Sequence, residues 1–153
     1  MNNPTAIQAS AEHGAAIVAL EAEHDAIDLE LGTLKSAILS GAEGALIIYV
    51  LDRSIAFCEE HFTHEEDFLR DHGYGQVDDH AALHQRLLKS FRCARDLAAG
   101  DSLPLAALDA FELLQEFKEH VERYDRPAYM EVEKRSPQKL KTNGAFAAHT
   151  AIR

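Results

Sequence analysis

Residues 45–75 read ALIIYVLDRSIAFCEEHFTHEEDFLRDHGYG, and this stretch indicates the fold of the chain. Its apolar side chains recur every three or four positions, which is typical of an amphipathic helix and not of a strand. They are Ile48, Leu51, Ile55, Cys58, Phe62 and Leu69. The run His72-Gly73-Tyr74-Gly75 ends the pattern, and Gly73 is expected to cap the carboxyl end of the helix. We therefore predict a helix from about Ala45 to Asp71.

Three other segments of the chain show the same helical period. They span about Ser10 to Ser40, Asp78 or Asp79 to Gly100, and Ser102 to about Asp125 or somewhat beyond. Either aspartate can accept hydrogen bonds from the first amides of the third helix and is expected to be its N-cap. Because connections of only a few residues join the four helices, neighbouring helices are expected to run antiparallel.

The fold class predicted from these segments is all-α, an antiparallel up-down-up-down four-helix bundle. Residues 1–134 are expected to form this single domain, since a chain of 153 residues is long enough to bury a core. Residues 135–153 show no clear period and are expected to be a short C-terminal tail.

Composition narrows the partners and the location that we expect for the chain. It has 15 Lys and Arg against 26 Asp and Glu, and this net charge of -11 disfavours nucleic acid and anionic membrane surfaces. The longest apolar runs are far shorter than the roughly 20 residues of a transmembrane helix, and no secretory signal pattern is found. The two cysteines predict no disulfide framework. We expect a cytoplasmic protein with no nucleic-acid or membrane partner.

Histidine is the unusual residue of this composition, with nine copies. His61 and Glu65 are four residues apart, as are His80 and His84, so each pair projects from one face of its helix. Side chains of these types, one helical turn apart, can bind the same ion. The sequence therefore offers two pairs of candidate ligands on two successive helices.

Distances along the chain from each loop indicate depth in an antiparallel bundle. His24 lies 17 residues before Gly41 and His61 lies 17 residues after Gly44, so these two histidines are expected at one level. The same comparison across the other two loops adds further residues to that level. They are Glu65, His80, His84 and His120. Every helix is thus predicted to contribute at least one histidine to a single layer.

Asp125 joins this layer only if its helix is distorted. It follows His120 by five residues, which is a rotation of roughly 140° in an ideal α-helix. Pro127 can cause such a distortion, because proline disturbs the backbone bonding of the turn before it. We expect an irregular turn or a helix end between His120 and Asp125.

Five imidazoles and two carboxylates in an apolar layer indicate a metal site. Burying such groups without partners costs several kcal/mol each, whereas metal coordination satisfies their lone pairs. The predicted ligands are His24, His61, Glu65, His80, His84, His120 and Asp125. Nitrogen and oxygen ligands without thiolate suit iron, manganese or zinc, and two carboxylates are typical bridges of a dinuclear centre.

This pattern resembles the hemerythrin family of oxygen-binding, non-haem di-iron helical bundles. The resemblance covers about residues 20–130. It rests on His24, on the segment His61-Phe62-Thr63-His64-Glu65-Glu66, on His80-x-x-x-His84, and on His120-Val121-Glu122-Arg123-Tyr124-Asp125 followed by Tyr129.

The resemblance implies a bound cofactor, two iron ions in an oxo- or hydroxo-bridged di-iron centre. It implies that one iron is bound by His80, His84 and His120 and the other by His24 and His61. Glu65 and Asp125 would bridge both irons. The iron with two histidines would keep an open position for O2, or for NO or peroxide. The pocket around that position would be lined by Ile27, Phe62, Phe117 and Val121.

Glu116 departs from the family pattern. The family commonly has a tryptophan four residues before the fourth-helix histidine, but this chain has no Trp and has Glu116 there. A carboxylate in the pocket could hold water, donate a proton or reach the metal. In the alternative interpretation, Glu116 turns toward solvent. Helix geometry alone does not choose between the two orientations.

The sequence supports three hypotheses about function. The first is a protein that binds O2 reversibly for carriage, storage or delivery, and is not an enzyme. The second is a di-iron oxidase, a peroxidase or an NO-handling enzyme, and the third is an O2 or redox sensor module. The sequence does not identify a partner protein. The other acidic residues of the helices, including Glu21, Glu23, Glu30 and Glu66, are expected on solvated faces, and His13, His64 and His72 are expected to be ordinary surface residues.

Overall fold

The computed structural model describes residues 4–100 and 103–135, with side chains described for 11–100 and 109–135. Its helices are α1 (Pro4–Leu39), α2 (Gly44–Asp71), α3 (Val77–Ala99), α4 (Leu103–His120) and α5 (Arg126–Arg135). A π-helical turn, Val121–Asp125, joins α4 to α5, so the last three segments form one continuous helical stretch. The described residues contain no strand, and the all-α prediction is confirmed.

The helix ends differ from the predictions at three places. Helix α1 begins at Pro4, earlier than predicted. Helix α3 begins at Val77, so Asp78 and Asp79 lie in its first turn and the prediction that one of them is the N-cap is wrong. Their carboxylates still interact favourably with the positive end of the helix dipole. Helix α5 includes Arg135, and the rest of the predicted tail, 136–153, lies outside the described residues.

Two glycines make the first two turns between helices. Gly41 has a φ of 68° and Gly73 has a φ of 69°, a left-handed conformation that costs glycine little. The amide of Gly73 donates to the carbonyl of Arg70 at the end of α2, as expected for a glycine after a helix. The prediction that Gly73 ends the second helix is confirmed.

Each long helix packs against two others. Helix α1 contacts α2 and α4, and α3 contacts the same two helices, which is the packing of a helical bundle. Among the described residues, no helix is long and apolar enough to cross a membrane.

Two apolar clusters form the core, and the candidate site lies between them along the helices. The larger cluster includes Leu31, Leu51, Phe91 and Phe117. The smaller cluster consists of Leu20, Phe68, Leu69, Ala128, Tyr129 and Val132. Along α1, for example, His24 lies between Leu20 of the smaller cluster and Ile27 of the larger one. Apolar packing on both sides thus separates the polar layer from solvent.

Candidate metal centre

The structure brings the seven predicted ligands together in the interior. All seven side chains are buried, and the most exposed of them, His120, retains only 5% of its accessible surface. They form two groups, and in each group the ligand atoms lie within 4.8 Å of one another. The first group is Glu65, His80, His84, His120 and Asp125. The second is His24, His61, Glu65 and Asp125. The two groups share both carboxylates.

The first group is arranged around one oxygen of each carboxylate. Glu65 Oε2 lies 3.0 Å from His84 Nε2 and 3.2 Å from His80 Nε2. Asp125 Oδ1 lies 3.0 Å from His120 Nε2 and 3.2 Å from His80 Nε2. Three imidazole nitrogens and two carboxylate oxygens therefore converge from α2, α3, α4 and the π-helical turn.

The second group uses the same carboxylates with two other histidines. His24 Nε2 lies 3.1 Å from Asp125 Oδ2, and His61 Nε2 lies 4.0 Å from Glu65 Oε2. The ring centroids of His24 and His61 are 4.4 Å apart, as expected for histidines at one depth on adjacent helices. Because Asp125 offers Oδ1 to one group and Oδ2 to the other, it can bridge two ions.

The π-helical turn explains how Asp125 reaches the site. In this turn the amide of Arg126 donates to the carbonyl of Val121, five residues earlier, so the turn is wider than an α-helical one. Residues five apart then come close to one face, which brings the Asp125 carboxylate to His120. Pro127 follows after Arg126 and cannot donate the amide hydrogen bond that a regular helix would need. The predicted distortion between His120 and Asp125 is confirmed.

The polar atoms of the cluster fit a metal site. Within the described part of the chain, eight buried nitrogen and oxygen atoms of these residues have no partner in hydrogen-bonding geometry, although several lie 3.0–3.1 Å from a neighbouring ligand atom. They belong to His24, His61, Glu65, His84, His120 and Asp125. Leaving such atoms unsatisfied costs free energy, and metal coordination would satisfy them. The nitrogen and oxygen donor set suits iron, manganese or zinc.

Electrostatics in the cluster favour positive charge between the ligands. Burial acts to raise the pKa of Glu65, but the facing His80 and His84 imidazoles lower it to about 2. Burial likewise opposes ionisation of Asp125, yet His120, His24 and His80 hold its pKa well below the usual range. Burial lowers the pKa of His80, whereas Asp125 and Glu65 outweigh it and raise that pKa to about 9. Two ionised carboxylates thus attract cations into this interior.

Three acidic residues outside the cluster contact its histidines, which corrects the prediction that they lie only on solvated faces. Glu23 Oε2 lies 2.9 Å from His61 Nδ1, and Glu66 Oε1 lies 2.9 Å from His84 Nδ1. Glu21 is 3.5 Å from His24 Nδ1. Each of them faces the ring nitrogen that points away from the cluster. In the sequence, Glu23 and Glu66 are marked only by adjacency to a predicted ligand, at Glu23-His24 and Glu65-Glu66.

Glu30 is a further acidic residue that the structure places in the interior. It retains 7% of its accessible surface, and its Oε2 lies 3.2 Å from Arg53 Nη2. The prediction of a solvated position for Glu30 is therefore wrong. The Arg53 guanidinium compensates its charge, so Glu30 needs no metal ion.

The four apolar residues predicted to line a ligand pocket are all buried. They are Ile27, Phe62, Phe117 and Val121. The Phe62 ring stacks on the His84 ring at 3.9 Å between centroids, and Phe117 lies 6.1 Å from the His24 ring. Phe117 and Val121 also line a cavity of about 350 Å³ that includes His24 and the exposed Lys118 and Arg126. This cavity gives small molecules a route toward His24.

The structure places Glu116 on the exposed side of α4, outside the buried cluster. It lines a surface cavity of about 370 Å³ between α3 and α4, together with Arg86 and His120. This cavity is separate from the one that contains His24. The solvent-facing alternative therefore describes Glu116 better than a position among the apolar pocket residues.

Three further residues lie near the cluster and are not among its candidate ligands. Cys58 is a free thiol in the core, and burial raises its pKa to about 12. Tyr129 is buried with its ring parallel to His24 at 6.2 Å between centroids. Burial and the charge of Glu65 raise the pKa of the Tyr129 phenol. His64 is exposed, as expected, but its Nδ1 lies 2.8 Å from Glu23 Oε1.

Comparisons of the chain with protein-family models, curated proteins and solved structures found no match.

Proposed function

We propose that this chain is a hemerythrin-like, non-haem di-iron protein that binds O2 reversibly. The observation that supports this proposal best is the pair of ligand groups that share Glu65 and Asp125. Shared carboxylates are typical of dinuclear centres in helical bundles. The proposal includes the antiparallel up-down-up-down order of the four helices, which their short connections favour.

The proposed ligand assignment follows the two groups. His80, His84 and His120 would bind one iron, and His24 and His61 would bind the other. Glu65 and Asp125 would bridge the two ions. When bound, such a pair of iron ions supplies the two electrons that O2 binding requires. Zinc would suit the same donor atoms but supplies no electrons.

The chain's own residues favour binding over turnover. The second ligand group has one histidine fewer than the first, which leaves room for an external ligand beside His24 and His61. Ile27, Phe117 and Val121 are buried and supply apolar surface on that side. The nearest candidate proton donor predicted from sequence, Glu116, is exposed instead. A ligand bound there would have apolar neighbours and no Glu116 carboxylate beside it, which favours a carrier.

A second candidate function is a di-iron oxidase, peroxidase or NO-handling enzyme. The cavity of about 350 Å³ next to His24 favours it, because this space admits small molecules other than O2. Its lining is polar as well as apolar, because Lys118 pairs there with Asp28 and Arg126 pairs with Glu122. The lifetime of the O2-bound form distinguishes this candidate from the carrier.

Metal analysis and mixing with O2 test the proposal. The purified full-length chain should contain about two iron ions, and the reduced protein should develop a long-lived visible absorption band on stopped-flow mixing with O2. Rapid loss of the band with return of the oxidised spectrum would support the enzyme. One zinc ion and no iron would contradict both functions.

A further inference from the structure

Glu23 contacts one buried histidine of the cluster, His61, and one surface histidine, His64. Its Oε2 lies 2.9 Å from His61 Nδ1, and its Oε1 lies 2.8 Å from His64 Nδ1. Each carboxylate oxygen of Glu23 thus faces a different imidazole of α2, although Glu23 itself is on α1. His61 is buried and His64 is exposed, so this chain of contacts runs from solvent to the cluster.

The contact with Glu23 decides which nitrogen of His61 can bind a metal ion. A carboxylate only accepts hydrogen bonds, so His61 Nδ1 must donate its proton to Glu23. In the neutral ring the other nitrogen then has a free lone pair. That nitrogen, Nε2, is buried, has no hydrogen-bond partner among the described residues and points into the second ligand group.

We infer that Glu23 is a positioning residue for His61, and that it holds the imidazole with its Nε2 lone pair turned toward the second ligand group. This inference rests on the proposed function, because it assumes that the group binds a metal ion. His64 holds the carboxylate of Glu23 from outside by occupying its other oxygen. Glu23 need not touch the ion or the bound ligand.

The effect should be confined to one of the two ions. The second group contains only two histidines, His24 and His61, so a misdirected His61 removes half of its nitrogen ligands. The first group has three histidines and does not include His61. In that group Glu66 holds His84 in the same manner, independently of Glu23. Loss of Glu23 should therefore weaken one metal equivalent and leave the other unchanged.

Cobalt(II) titration of the metal-free full-length chain tests this inference, with visible absorption reporting each equivalent. The variants are Glu23→Ala, which removes the acceptor, and Glu23→Gln, which keeps an acceptor oxygen but removes the charge. Glu60→Gln is the matched control, since Glu60 is an exposed carboxylate next to His61 with no hydrogen bond to it. The melting temperature of each metal-free variant is measured in parallel.

We expect Glu23→Ala to weaken the second equivalent by about 10-fold to 100-fold, the usual effect of removing a partner of a metal-binding histidine. The first equivalent and the metal-free melting temperature should match those of the control. Glu23→Gln should recover most of the lost affinity, because its oxygen still accepts from His61 Nδ1.

Three results would overturn the inference. The first is equal binding of both equivalents by Glu23→Ala and Glu60→Gln. The second is a parallel weakening of both equivalents, which would indicate a general structural role. The third is a Glu23→Gln variant as weak as Glu23→Ala, because charge and not orientation would then matter. A wild-type chain that binds fewer than two cobalt ions would instead contradict the proposed dinuclear centre.

Discussion

At the scale of single residues, the seven candidate ligands are not equivalent. Asp125 and Glu65 belong to both ligand groups, whereas each histidine belongs to only one. Removing a shared carboxylate should therefore affect both metal ions, and removing a histidine should affect mainly one. This difference separates a dinuclear centre from a mononuclear one with spare ligands.

We predict that His24→Ala retains about one iron ion per chain, because the first group remains complete. Asp125→Ala should retain less, since it removes an oxygen ligand from each group. Metal analysis of the purified variants measures both contents, with the exposed Glu59→Gln as control. Two iron ions in His24→Ala would contradict the assignment of His24 as a ligand.

A second prediction at this scale concerns Glu116. Because its side chain is exposed and lies outside the His24 cavity, Glu116→Leu should change neither the decay rate of the O2-bound form nor its pH dependence. The decay is followed by absorption between mildly acidic and neutral pH. A slower decay in the variant would show that the carboxylate delivers protons to the pocket after all. Iron content, measured on the same samples, should be equal.

At the scale of helices, the π-helical turn is the element that completes the site. A regular helix would point Asp125 away from His120 by roughly 140°. The wider turn, Val121–Asp125, brings the carboxylate back to within 3.0 Å of His120 Nε2. Functional sites often contain such turns, and here the geometric reason is the five-residue spacing of two ligands.

The packing of α1 on the end of α2 should depend on pH through His13. The His13 ring lies 5.4 Å from Phe68 and 4.5 Å from His72, and its Nε2 is buried without a hydrogen-bond partner. Burial and the neighbouring His72 lower the pKa of His13 below 6.5, although Glu133 opposes them. The unfolded segment therefore binds protons more tightly than the folded one. This contact is stable above the unfolded pKa and weakens as the pH falls below it.

We predict that amide hydrogen exchange around His13, corrected for the intrinsic rate, accelerates between about pH 7 and pH 5. The variant His13→Phe keeps a ring against Phe68 but cannot be protonated, so its corrected exchange should stay constant over this range. Exchange in the middle of α3, far from His13 in the sequence, serves as the internal control. The same acceleration in His13→Phe would assign the pH effect to other groups.

At the scale of the whole molecule, the metal ions and the bundle should stabilise each other. The cluster holds two ionised carboxylates between apolar layers, and several of its buried polar atoms have no partner within the described residues. Ions that bind only the folded bundle stabilise it in proportion to the logarithm of their concentration over Kd.

We predict that chelation of the reduced protein lowers Tm by about 10–20 °C. Each of two ions present at about 100 times its Kd contributes about 2.7 kcal/mol, and each kcal/mol moves Tm by about 2–4 °C in a domain of this size. Scanning calorimetry of the loaded and chelated chain measures the shift, and re-addition of iron(II) should reverse it. An equal Tm after metal analysis has verified removal would contradict a buried site.

The sequence by itself indicated the helical class and the seven residues that meet in the buried cluster. The period of the apolar residues and the positions of the loops are local properties of the sequence. Equal numbers of residues from the first loop were therefore enough to place His24 beside His61. The sequence also indicated that the helix is distorted between His120 and Asp125. In a regular helix, two candidate ligands five residues apart could not face the same site.

Only the tertiary structure decided which acidic residues contact the histidines of the cluster and where Glu116 lies. Glu23 and His64 are separated by 41 residues, and a helix considered alone shows Glu23 simply on a polar face. That face becomes an interhelical contact only when α1 packs on α2, since packing fixes the rotation of each helix about its own axis. The rotation of a helix about its axis depends on every tertiary contact along that helix. The spacing of candidate ligands along the chain depends on the sequence alone.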